Sequence, residues 1–267
     1  MRTSLLATLA ALVPLTALAV PAVDPGLQES LQNPMRSPKF VARDAVRHPA
    51  EELTFFGVQP NSTVVEIAPG GGYWTEILAP YLYGRGTYYV VVPGGTDADS
   101  VKEAAAFRAR AATNRPVFAH LKITEAGGGK YDIAPPGTAD FVLTFRNIHN
   151  WMYEGDADQM FAAFYKALKP GGILGVEEHR GRTDKPQDPK ANDGYVRQDY
   201  AIALAKKAGF ELVGSSEIDA NPKDTKDYAQ GVWTLPPTFA LGDKDRAKYA
   251  AIGEADNFVL KFRKPAS

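Results

Sequence analysis

Three groups of polar residues stand where short apolar runs end, the places at which a buried strand would release its chain toward solvent. Arg146, Asn147, His149 and Asn150 follow the apolar residues 141–145, and Glu177, Glu178 and His179 follow residues 173–176. Glu66 lies in the β-branched run 63–67, just ahead of Pro69-Gly70-Gly71-Gly72. Imidazole titrates near neutral pH, so His149 or His179 can serve as a general base on an acceptor hydroxyl or amine. A carboxylate beside a glycine-rich turn accepts hydrogen bonds from a ligand amine or hydroxyl, and the following helix start aims free N–H groups at the same crevice. Each group also has a plainer reading. A polar cluster can be a hydrogen-bonded network that orders loops, and a strand-to-helix connection wants glycine anyway. His48 reads as a packing or capping residue, and His120 as structural or exposed at the end of a strand.

Several chemistries are excluded or disfavoured. The chain has no cysteine, which removes disulfides, thiolate metal sites and a cysteine nucleophile. No Gly-x-Ser-x-Gly elbow is present. His149, Glu177 and His179 are suitable ligand types, but they come from separate strands and show no helical His-x-x-x-His spacing, so no metal is assigned. Acids (31) and bases (30) nearly cancel, which gives no pull toward nucleic acid. Residues 102–110 read as a solvated helix face. Trp74, Trp151 and Trp233 can line an aromatic pocket or simply fill a core.

The positioning elements alternate between strand and helix. Strands are expected at 63–67, 87–92, 117–121, 139–145, 173–176, 210–213 and 257–262. Helices are expected over 73–83, 100–112, 157–168 and 196–208. A further helix over 40–57 is interrupted by Pro49, with Val41, Ala45, Leu53 and Phe56 as its buried positions. Short apolar strands alternating with helices predict an α/β fold of three layers, a doubly wound, mostly parallel sheet of seven strands. Ligands in such sheets bind beyond the carboxyl ends of the strands, where the strand order reverses. Residues 39–267 form one domain, with the weakly periodic block 219–253 as a cap insert over the site.

The spacing of Glu66, Gly70 and Gly72 resembles the first motif of class I S-adenosylmethionine-dependent methyltransferases, acid-x-Gly-x-Gly-x-Gly, with Ala68 in place of the first glycine. Leu168-Lys169-Pro170-Gly171-Gly172-Ile173-Leu174 resembles the signature ahead of their fifth strand, and residues 210–218 and 257–262 resemble their closing pair, whose last strand is antiparallel. More narrowly, the chain is similar to a family of predicted bacterial methyltransferases, many with signal peptides. Arg47-His48-Pro49-Ala50-Glu51, Phe55-Phe56-Gly57, Thr144 to Trp151, Asn221-Pro222-Lys223-Asp224 and Gly231 to Pro237 carry that likeness. The resemblance implies S-adenosylmethionine as cofactor, its amino-acid half held by Glu66, Ala68, Pro69, Gly70 and Gly72, with Phe145 beside it. It places Arg146, Asn147, His149 and His179 around the methyl group as the catalytic set, and a small-molecule acceptor under the block around Trp233. The chain departs from the pattern at strand two, which ends Val92-Pro93-Gly94 with no acid for the ribose. Asp97 and Asp99 stand a few residues on.

Residues 1–19 read as a signal peptide: Arg2, an apolar run over 5–18, then Ala17-Leu18-Ala19 as a cleavage site. The run is short for a bilayer span and contains Pro14, so cleavage after Ala19 is preferred to an anchor. Residues 20–38, rich in Pro, Gln, Ser and Asn, read as a flexible leader. The exported, periplasmic location this implies supports a second hypothesis, a non-catalytic exported protein that uses the same fold to bind a small molecule or partner. Oligomeric state is not readable from the sequence.

Overall fold

The computed structural model describes residues 22–266, and the segment read as a signal peptide falls outside them. Seven strands form one sheet: β1 (Thr63–Ile67), β2 (Thr87–Pro93), β3 (Leu121–Ala126), β4 (Ala139–Phe145), β5 (Leu168–His179), β6 (Glu211–Ser216) and β7 (Asn257–Arg263). Their spatial order is β3-β2-β1-β4-β5-β7-β6. The pairs from β3 through β5 are parallel, and β7 runs antiparallel to both β5 and β6. The order reverses between β1 and β4, whose carboxyl ends lie side by side with Ile67 opposite Thr144. One position further along, Phe145 faces Glu177 on β5, and His179 faces Asn257 on β7. All three polar groups therefore open into one crevice.

Alternation along the strands feeds two cores, one on each face of the sheet. Val65, Ile67, Val91 and Val142 pack against Ile148, Trp151, Phe161, Phe164 and Leu204 on one face. Val64, Val90, Leu143 and Phe145 pack against Leu27, Leu53, Phe56, Ile77 and Phe107 on the other. A third, smaller cluster joins Tyr195 to Val232, Leu235, Tyr249 and Ala255 within and beside the insert.

Several elements differ from expectation. The leader is structured in part: Pro25–Leu31 is a helix whose Asp24 side chain accepts from Gly26 N and Leu27 N, and Leu27 is fully buried. Asp followed by Pro is a helix-start signal that a short polar segment conceals. Residues 40–57 form three short helices, Pro38–Val41, Asp44–Arg47 and Pro49–Phe56, broken at the left-handed His48 (φ 39°). The breaks shift the helical phase, so Val41 and Ala45 are exposed while Leu53 and Phe56 stay buried. The third strand begins only at Leu121. Residues expected to form it lie in the helical turn Arg115–Phe118, and His120 sits exposed ahead of the strand. As an edge strand, β3 carries Lys122 and Glu125 and lacks the apolar run of its neighbours. On β5 the strand starts at Leu168, directly after the helix Ala157–Ala167.

Candidate functional site

Two cavities meet at the sheet's carboxyl edge and share Ala68 and Asn147 as lining residues. The larger, about 710 Å³, runs beside the ends of β1 and β2, past Asp97, Asp99, Glu103 and Gly127 to Gly129, to Asn150 and Trp151. The smaller, about 310 Å³, lies over β1, β4 and β5.

The β1 turn is made by backbone conformation. Ala68 (φ 48°), Gly70 (φ 52°) and Gly72 (φ 87°) all take left-handed conformations, which cost an alanine about 1 kcal/mol and glycine nothing comparable. Ala68 thus keeps the backbone shape that the motif's glycine would supply. Nothing lies within 4 Å of the position a Gly70 side chain would take, so the turn's surface is open to a ligand there. Gly72 instead closes the turn, with its N–H on Pro69 O at 2.8 Å, and lines neither cavity. Pro69 and Gly70 line the smaller cavity.

Glu66 is 1% exposed. Its Oε2 accepts from Thr75 Oγ1 at 2.7 Å and from the Tyr88 hydroxyl, while its Oε1 is buried with no partner. Burial pushes its carboxyl up to about 7, against the lowering effect of those two hydrogen bonds. A buried carboxylate oxygen without a donor, on a cavity wall, suits a ligand ammonium. Phe145 also lines this cavity, with its ring stacked on Trp74 at 4.0 Å.

The strand-four and strand-five cluster is organised by carboxylates. Glu178 accepts from Ile148 N (2.6 Å), His149 N (3.3 Å) and His179 N (2.8 Å), and its Oε1 lies 3.0 Å from His149 Nδ1. Opposite an acceptor, Nδ1 carries the proton and His149 Nε2 is left with its lone pair. Asn257 donates through Nδ2 to Glu177 Oε1 (2.9 Å), which turns its Oδ1 toward His179 Nδ1 at 2.8 Å and fixes the same tautomer there. Burial, then His149 and Arg146, hold His179 well below the usual histidine range, so it is neutral at pH 7. The two rings lie 5.5 Å apart, and Trp233 meets His149 edge-on at 6.0 Å. His149, Glu178 and His179 offer ligand-type atoms within 4.8 Å of one another. Both Glu178 oxygens already accept from N–H donors, one of which is the His149 ring, and Arg146 stands in the same cavity.

Asn147 pins the two central loops, donating from Nδ2 to Ile67 O and to Thr144 Oγ1, both at 3.2 Å. Arg146 takes φ 63° at the exit of β4, with its N–H on Glu177 O at 2.7 Å. That conformation is unfavourable for a non-glycine residue and is tolerated where surrounding contacts determine it. Three charged residues in this wall carry no site role in the sequence reading: Arg43, Arg47 and Glu254. The turn ahead of the helix Asp44–Arg47, that helix's last residue and the loop ahead of β7 bring them there, and no local spacing links them. His48 is turned to Asp219 at 2.8 Å and lines neither cavity. Strand β2 ends without an acid, as read. Asp97 lines the larger cavity but caps the helix Ala98–Thr113 through Ser100 N at 2.9 Å, and Asp99 stands beside it.

Solved structures share this architecture. A SAM-dependent methyltransferase from Aquifex aeolicus aligns at TM-score 0.55 and 14% identity, over 89% of this chain and 98% of that one. The [4+2]-cyclase SpnF aligns at 0.55 and 17%, over 91% and 94%. The glycopeptide N-methyltransferase MtfA, complexed with sinefungin, aligns at 0.50 and 16%, over 82% and 86%. No family model and no curated protein matches the chain. The strand order with its antiparallel β7 is that of the class I methyltransferase fold. Identities this low establish the fold, and the activity has to be argued from the site.

Proposed function

We propose that this chain is an S-adenosylmethionine-dependent methyltransferase acting on a small-molecule acceptor. The observation that carries the reading is the buried, unpartnered Glu66 Oε1 beside the open Gly70 turn, at the point where the strand order reverses. The cofactor, when bound, supplies a methyl group already activated on a sulfonium. Glu66 receives its ammonium and Pro69 and Gly70 let its amino-acid half approach the backbone, while the larger cavity takes the nucleoside. His149 Nε2 accepts the acceptor's proton, held in its working tautomer by Glu178. His179 stands behind as a second neutral imidazole. Trp233, Pro236 and Pro237 cover the acceptor side and limit access of water.

Calorimetric titration with S-adenosylmethionine and S-adenosylhomocysteine tests this. Micromolar binding, lost in Glu66→Ala, is the expected result; a folded chain that binds neither compound refutes it.

A second reading is an exported binding protein on this fold. The lack of an acid ending β2 and the substitution of Ala68 in the glycine motif favour it, and titration against both cofactor forms separates the two. Export, membership in the exported bacterial family and cleavage after Ala19 are part of the proposal and rest on residues 2–19 and the motifs quoted above. N-terminal sequencing of protein from the cell envelope should begin at Val20. Among the described residues, no helix is long and apolar enough to cross a membrane.

A further inference from the structure

The smaller cavity holds more positive charge than its own residues satisfy. Arg43, Arg47 and Arg146 converge on Glu254. Arg43 grips it in a two-pronged pair, with Nε on Oε1 at 2.6 Å. The other two are left over. Arg47 is 5% exposed, reaches Glu254 only at 3.8 Å, and has a buried Nε with no partner. Arg146 lies 3.6 Å from Glu254 and 3.7 Å from Glu177, too far for a hydrogen bond to either. Burial raises the Glu177 carboxyl above the usual range, against the lowering effect of Arg146. Each guanidinium is a planar fork of five N–H donors, and burying one without acceptors is costly.

We propose that the acceptor is an anion, a small molecule whose carboxylate or phosphate is held by the Arg146 fork with Arg47 behind it. This rests on the methyl-transfer reading of the crevice. The cofactor's own carboxylate is the rival occupant, and competition with S-adenosylhomocysteine separates the two. Arg146 also shares its cavity with His149, His179 and Trp233. An anion held there places the rest of the acceptor against His149.

The full chain, with and without saturating S-adenosylhomocysteine, is titrated with inorganic phosphate and with benzoate. At least one should bind in both states, about tenfold or more weakly in Arg146→Gln, with partial recovery in Arg146→Lys, which keeps the charge but not the fork. If Arg146→Gln does not fold, as read by its thermal melt, Arg146→Lys carries the comparison. Binding of neither anion, or equal binding to wild type and variants, overturns the proposal. So does displacement of the anion by S-adenosylhomocysteine but not by 5′-methylthioadenosine, which lacks the carboxylate. Anion binding without any cofactor binding would leave this site standing and refute methyl transfer.

Discussion

The two halves of the crevice are built in different ways. The β1 half comes from one continuous stretch, residues 66–72, and its shape is set by backbone dihedrals at Ala68, Gly70 and Gly72. The β4–β5 half is assembled from Arg43, Arg47, Arg146, His149, Glu178, His179, Trp233, Glu254 and Asn257, most of them on separate elements. A site made by one turn depends on local conformation. A site made by side chains from many segments depends on buried hydrogen bonds to keep each group in place. Substitutions should therefore fail differently on the two sides.

The largest contrast is expected from Gly70→Trp. A bulky side chain at φ 52°, in space now open, should weaken S-adenosylhomocysteine binding about a hundredfold or more while leaving the thermal melt within a few degrees. Unchanged affinity by calorimetry would remove the cofactor from this turn. On the other side, Glu178→Ala should lower stability by about 3 kcal/mol in urea denaturation, because it strips the acceptor from three backbone N–H groups and an imidazole in a buried region. It should also release His149 from its tautomer, visible in the ring's nitrogen chemical shifts. A variant with wild-type stability and wild-type shifts would show that Glu178 does not organise this wall.

Glu66 gives a pH test of the β1 half. Its carboxyl stands at about 7 when folded, above the ordinary value of 4.5, so the folded state holds the proton more tightly than the unfolded. Stability from this group is intact below about 4.5 and falls as pH rises toward 7, where Glu66→Gln should flatten the slope. Cofactor affinity should move oppositely, rising through pH 7 with proton release, because an ammonium pairs with the ionised form. Affinity independent of pH from 6 to 8 would contradict that pairing. The smallest effect is expected from Ala68→Gly. Relief of the left-handed alanine, set against glycine's greater chain entropy, should change stability by no more than about 1 kcal/mol, with cofactor affinity preserved.

Legibility in the sequence follows the same division. Strands β1, β2, β4 and β7 read correctly to within a residue because continuous β-branched and apolar runs mark strands buried on both faces. β3 read poorly because an edge strand need not be apolar. The helix Pro25–Leu31 is hidden because its apolar ties to the core, Leu27 and Leu31, are only two residues in a polar segment. Within the site, the Glu66 to Gly72 turn and the polar groups at 146–150 and 177–179 stood out as local clusters at strand ends. Motif position alone puts Gly72 in the cofactor set, whereas the fold uses it to close the turn.

Local order alone determined the α/β class and the chemical types that reach the strand ends, because strand period, turn glycines and strand-end polarity are short-range properties. Tertiary structure decided which of those groups are paired. It gave Glu178 to His149 and Asn257 to His179, left Glu66 Oε1 without a donor, and gathered Arg47 and Arg146 around a carboxylate already held by Arg43. Pairing over 29, 78 or 211 residues depends on how elements pack and how much water the packing removes, and no spacing along the chain encodes that.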